Sequence, residues 1–86
     1  MSLRDRVERQ AEELRATRDE IKLQLHLGKM DARDQWDQIE KQWEHAEGKL
    51  KQLAEAANET TEDIAEATQM VLSEMKDGYK KLRSLL

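Results

Sequence analysis

The chain has no cysteine, no proline and no phenylalanine, and only three of its 86 residues are glycine. Without cysteine it can form neither a disulfide nor a thiolate metal site, and thiol-based nucleophilic catalysis is excluded. Without proline, nothing in the sequence forces a helix to stop. Aromatic residues make up 3% and apolar residues 37%, where ordinary globular domains carry about 45–50% apolar residues. A thick globular core is therefore not expected. No apolar run approaches the ~20 residues that span a bilayer. The first residues lack the basic–apolar–small pattern of a signal peptide, so a cytoplasmic location is the expectation. The net charge of -4 is modest, and no segment is basic enough to read as a phosphate-binding stripe. Nucleic acid is thus not an expected partner.

What the chain has is charge, at 40% of residues, and a helical apolar period. Leu3, Val7, Leu14, Ile21, Leu25, Ala32, Trp36, Ile39, Trp43, Ala46, Leu50, Leu53 and Ala57 follow one another at steps of 3, 4 or 7 residues. Such steps keep to one helix face. Good helix formers (Glu, Lys, Arg, Gln and Ala) fill the positions between. Acid-then-base pairs at i,i+4 recur as Asp5–Arg9, Asp37–Lys41, Glu47–Lys51 and Asp77–Lys81. Each contributes about 0.2–0.5 kcal/mol to helicity. The fold class is all-α, and the length allows one domain, residues 1–86.

Two places can interrupt the helix. At Asn58–Asp63, Asn58 can end one helix and Thr60 or Thr61 can cap the next. Acidic residues crowd the start of the following segment, and Lys76, Lys80, Lys81 and Arg83 crowd its end, which suits the helix dipole. Residues 61–85 read as a separate helix. Its apolar face, through Ile64, Thr68, Val71, Leu72, Met75, Tyr79 and Leu82, is wide enough to touch at least two neighbours. The second place is Gly28, with Asp31 as a cap. A lone glycine costs a helix only about 1 kcal/mol, and the stripe keeps its phase across it. Ile21 and Leu25 lie on the main face, whereas Leu23, Leu27 and Met30 lie nearly opposite, which predicts packing on two sides.

Two architectures satisfy these demands. The preferred one is an antiparallel hairpin of a long helix, 3–57, and a short helix, 61–85, with lengths of ~80 and ~40 Å. The short helix cannot cover the long one, so a second copy would do so in a dimeric four-helix bundle, with Leu23, Leu27 and Met30 in the contact. The alternative is a three-helix bundle (about 3–27, 31–57 and 61–85) broken near Gly28.

No chemistry-bearing constellation emerges. Ser2, Ser73 and Ser84 lack the glycine-flanked elbow of a nucleophile. His26 and His45 lack the Glu-x-x-His spacing of helical di-iron sites, and Gly28, Gly48 and Gly78 form no phosphate loop. Gly48 either allows close helix approach or simply costs stability. Asp37, Glu40, Glu44 and Glu47 run along one flank beside the Trp stripe, most simply as a solvated face and otherwise as a weak cation site or acidic docking surface. Trp36 and Trp43, seven apart, read first as core and second as anchors for a partner. No catalytic, metal or cofactor residue is expected.

The segment Arg18–Leu27, followed by Asp34-Gln35-Trp36 and Met75–Leu82, resembles small bacterial coiled-coil hairpin proteins of uncharacterised function. That resemblance implies a continuous first helix, because an alanine-like residue stands in such proteins where Gly28 is here. It carries over no catalytic residue. The 11-residue spacings Leu3, Leu14, Leu25, Trp36 and Leu53, Ile64, Met75, Leu86 are similar to repeats of exchangeable apolipoproteins and desiccation-protection proteins. Basic residues do not flank the apolar face in excess, however, and the net negative charge disfavours anionic lipid. The leading expectation is a non-enzymatic protein–protein interaction or scaffolding protein that forms a homodimer and can engage a further protein partner. The second is a stress-protection or lipid-surface protein. The expected interface residues are Leu23, Leu27, Met30, Trp36, Ile39, Trp43, Leu72 and Tyr79.

Overall fold

A computed structural model describes residues 2–55 and 61–86, except for the Leu27 and Thr61 side chains. Helix α1 (Leu3–Gln24) opens at Ser2, whose hydroxyl accepts the Asp5 backbone N–H at 3.2 Å. That cap satisfies one of the four free donors at the helix start, and Asp5 in the first turn suits the dipole. Helix α2 spans Met30–Glu55 and α3 spans Thr61–Leu85. All of the regular structure among the described residues is helical. None of these helices is long and apolar enough to cross a membrane.

The expected continuous helix over 3–57 is not formed. The chain tightens into one 3-10 turn at Leu25–Leu27 and then extends at Gly28, where φ is -82° and ψ is 154°. The Gly28 N–H is satisfied by the Leu25 carbonyl at 2.9 Å, and the Lys29 carbonyl accepts from Ala32 and Arg33 at 3.0 and 3.2 Å. Asp31 therefore lies inside the first turn of α2 and does not cap it. The break needs no left-handed residue. Its constraint is space: a β-carbon at Gly28 would lie 2.8 Å from the Ala32 Cβ and 2.9 Å from the Leu86 Cδ2. The Ala32 Cβ is fixed to helix backbone and cannot move aside.

The result is the three-helix alternative, not the two-helix hairpin. Helix α3 packs against both α1 and α2, as its wide apolar face predicts. Its buried positions Ala65, Thr68, Leu72, Met75, Tyr79 and Leu82 advance by alternating 3 and 4 residues, the spacing of a coiled-coil seam. Val7, Ala11, Leu14 and Ile21 of α1, and Ala32, Ile39, Trp43, Ala46 and Leu53 of α2, close over it. Thr68 is the polar member of this core, and its hydroxyl donates to the Ile64 carbonyl at 2.7 Å. The bundle measures 45 × 21 × 16 Å. The start of α3 at Thr61 agrees with the sequence reading. The rest of the expected turn, Asn58 to Thr60, and the end of the first segment at residues 56–57 lie outside the described residues.

The surface ion pairs differ from those expected. Among the described residues the pairs are Arg4–Glu8 within α1, Arg18–Glu40 between α1 and α2, and Glu20–Arg83 between α1 and α3. Asp5–Arg9, Asp37–Lys41, Glu47–Lys51 and Asp77–Lys81 are not among them. A few tenths of a kcal/mol does not hold two long exposed side chains together.

The three glycines should respond differently to alanine. Gly28→Ala should destabilise the fold by about 1–3 kcal/mol through overpacking. At Gly48 an added β-carbon would meet nothing within 4 Å, so Gly48→Ala should gain about 1 kcal/mol in helix propensity. At Gly78 a β-carbon would lie 3.1 Å from Ile39 Cγ1, so its propensity gain should be offset by crowding. Urea unfolding of the three variants checks this order.

Candidate functional site

Trp43 and Tyr79 stand opposite each other where α2 meets α3, 4% and 2% exposed. Both lie on apolar stripes, yet each has a polar end that needs a partner when buried. They supply each other: the Trp43 indole N–H donates to the Tyr79 hydroxyl at 2.6 Å. The Arg15 guanidinium lies 5.7 Å from the Trp43 ring centroid, within cation–π range. One turn further along α1, Arg18 grips Glu40 with two parallel hydrogen bonds of 2.7 and 2.8 Å. Side chains from all three helices thus meet at one level of the bundle.

The electrostatics follow from this geometry. The Arg18 hydrogen bonds, outweighing burial, hold the Glu40 carboxyl below its ordinary range. The same bonds raise the Arg18 guanidinium above its ordinary value. Burial pushes the Tyr79 hydroxyl up, the Trp43 hydrogen bond partly offsets this, and the Glu40 charge adds to the rise. A tyrosine held neutral, a carboxylate held ionised and a permanently charged arginine describe a satisfied polar lock. None of the three is poised to exchange a proton near neutrality.

The expected interface residues divide into two groups. Ile39, Trp43, Leu72 and Tyr79 are buried in the chain's own core, and Trp36 is half-buried against it. Leu23 and Met30 are 77% and 79% exposed, so one chain does not pack residues 21–30 on two sides. The Leu27 side chain lies outside the described residues. The structure therefore brings the core group together and sets the corner group apart from it.

The acidic flank is interrupted. Glu40 turns to Arg18, while Asp37, Glu44 and Glu47 are exposed. His26 and His45 are also exposed. Among the described residues no three His, Asp or Glu side chains gather as a metal site would require. Sequence reading missed Arg15 and Arg18, and it put Glu40 on the acidic flank without its partner. The signal for the Trp43–Tyr79 pair was present, since two buried polar rings on facing stripes call for a shared hydrogen bond. Nothing in the spacing of Arg18 and Glu40, 22 residues apart, marks them as partners.

No protein-family model matches the chain, and no curated protein or solved structure matches it significantly.

Tyr79→Phe should leave the indole N–H without its acceptor and cost about 1–3 kcal/mol in urea unfolding. The Arg18 and Glu40 side chains are 35% and 32% exposed, so solvent screening limits Glu40→Gln to about 1 kcal/mol at neutral pH. Because the folded carboxyl titrates below its unfolded value, this contribution is complete above the ordinary glutamate range, about 4.3. It is lost as pH falls through the lowered folded value. Wild type and Glu40→Gln should therefore converge in stability as pH falls below the ordinary glutamate range, and a constant gap would assign the loss to packing.

Proposed function

We propose that the protein is a non-enzymatic helical interaction or scaffolding module, and that it pairs with a second copy through the end of the bundle where α1 turns into α2. One observation carries this reading. Of the five large apolar side chains exposed among the described residues, four belong to that end: Leu23, Met30, Leu85 and Leu86. Leu86 reaches Gly28 in the turn, and Leu85 borders a recess with Asp31 and Asp34. Clustered apolar exposure on so charged a chain is the usual mark of a contact surface.

The charges around this end favour a second copy as the occupant. Lys81 borders a recess with Asp31 and Asp34, and Lys29 is exposed in the adjoining turn. A two-fold pairing places each copy's basic residues against the other's acidic ones, as a self-complementary surface requires. Two three-helix chains meeting end to end take the place of the four-helix bundle that a hairpin would have formed. The core no longer demands a partner, so the pairing is a property of the exposed end alone.

Light scattering across a concentration series tests this. The wild-type mass should rise from 10.1 kDa toward twice that value. Leu23→Lys/Met30→Lys, which alters two exposed positions, should remain at the chain mass with unchanged helicity. A wild type that stays monomeric through the millimolar range, or a double variant that pairs as well as wild type, contradicts the reading.

A further inference from the structure

The turn that joins α1 to α2 is short, and nothing in its backbone excludes a helix. It consists of the 3-10 turn Leu25–Leu27 followed by Gly28 and Lys29. It holds no proline, and none of its residues is left-handed. The apolar stripe crosses it in phase. Ile21, Ala32 and Ile39 are buried and Leu25 and Trp36 are half-buried, at steps of 4, 7, 4 and 3 residues in chain order. One uninterrupted helix would present these same residues on one face.

The contacts that hold α1 in the bundle do not depend on that turn. Helix α1 is seated mainly on α3. Arg15 over Trp43, Arg18 on Glu40 and Glu20 on Arg83 each join α1 to another helix. An α1 supplied by a second chain makes all of them. What belongs to the folded-back chain alone is the turn: the Gly28 N–H on the Leu25 carbonyl, and Gly28 packed against Ala32 and Leu86. A continuous helix gives the same N–H the Gln24 carbonyl.

We infer that the Gly28 turn is a hinge through which two copies of the chain exchange α1. Each exchanged chain runs as one helix from α1 into α2 and lays its α1 on α2 and α3 of the other. Exchange of an identical element needs no new core contacts, which makes it a ready route to a dimer. Residue 28 sets the balance between the two forms. Glycine disfavours the open helix and leaves the room that the closed turn requires. This dimer does not rest on pairing through Leu23 and Met30, which leaves each chain folded back.

Gly28→Ala tests the hinge. The added β-carbon crowds Ala32 in the closed turn and favours the open helix. In dilute solution it only destabilises the single chain. After refolding at millimolar concentration it should raise the exchanged dimer at least about tenfold over wild type. Light scattering then reads twice the 10.1 kDa chain mass. Spin labels on separate chains, Glu12→Cys on one and Lys51→Cys on the other, distinguish the two kinds of dimer. Exchange brings the labels within the 21 × 16 Å cross-section of one bundle. Folded-back chains meeting end to end would keep them about 50 Å apart, at 1.5 Å per residue from the α1–α2 end.

Two further variants isolate the cause. Gly28→Ala/Ala32→Gly removes the atom that the new β-carbon meets at 2.8 Å, and should fall back toward the wild-type level of exchange. Gly48→Ala adds a methyl to α2 away from the hinge and should match wild type. A Gly28→Ala dimer with no short distance between chains would overturn the hinge. So would a Gly28→Ala chain whose circular dichroism shows lost helices at every concentration, or one that stays at the chain mass. Equal exchange in the double variant or in Gly48→Ala would overturn the role of residue 28.

Discussion

The hydrogen bond between Trp43 and Tyr79 is the interaction on which the arrangement of the helices depends. A buried indole N–H without an acceptor is costly, and the hydroxyl across the α2–α3 contact is its partner. Sliding α2 along α3 by a heptad would still place apolar residues against apolar residues, because both stripes repeat at steps of 3 and 4. It would separate the two polar ends. The apolar stripes supply the drive to pack, and this pair selects the register. Arg15 over the Trp43 ring and the Arg18–Glu40 fork then tie α1 to α2 at the same level. Polar groups that are satisfied in one arrangement specify it more sharply than apolar area can.

The second constraint is steric and sits just beyond the C-terminal end of α1. Gly28 leaves room for Ala32 and Leu86 to close over the turn. With the chain folded back there, the three helices have 22, 26 and 25 residues, close enough in length to cover one another. The hydrophobic stripe that a long hairpin would have offered to a second chain is consumed inside the bundle. Among the described residues, the large apolar side chains left exposed are Met70 and the cluster of Leu23, Met30, Leu85 and Leu86 at one end of the bundle. Trp43 and Tyr79, by contrast, are buried in the chain's own core.

The helical class, the separate α3 and its contact with two neighbours were legible from apolar spacing, because spacing reports directly on which face is buried. The core position of Trp43 followed in the same way. The break at Gly28 is not legible in the stripe, which keeps its phase on both sides of the turn. A helix and a helix–turn–helix can share one phase, so periodicity does not decide between them. The turn also uses a 3-10 segment and an extended glycine, which leave no left-handed signature to find. Leu23 and Met30 suggested two-sided packing because they oppose Ile21 and Leu25. In the structure they sit where α1 ends and α2 begins, and both side chains stay exposed. The Arg18–Glu40 fork was invisible for a different reason: charged residues are abundant throughout the chain, and only the fold brings this pair together.

The central claim is that one chain folds back at Gly28 and locks α1 against α2. A spin-label distance between Glu12→Cys and Lys51→Cys tests it most directly, since the natural sequence has no cysteine to interfere. Both positions are exposed, and Glu12 borders the same recess as Leu50. Labelled chain diluted into unlabelled chain reports the distance within one molecule. The folded-back chain predicts a short distance, set by the 21 × 16 Å cross-section of the bundle. A continuous helix through Gly28 would place the labels about 60 Å apart, at 1.5 Å per residue, and that result would contradict the account.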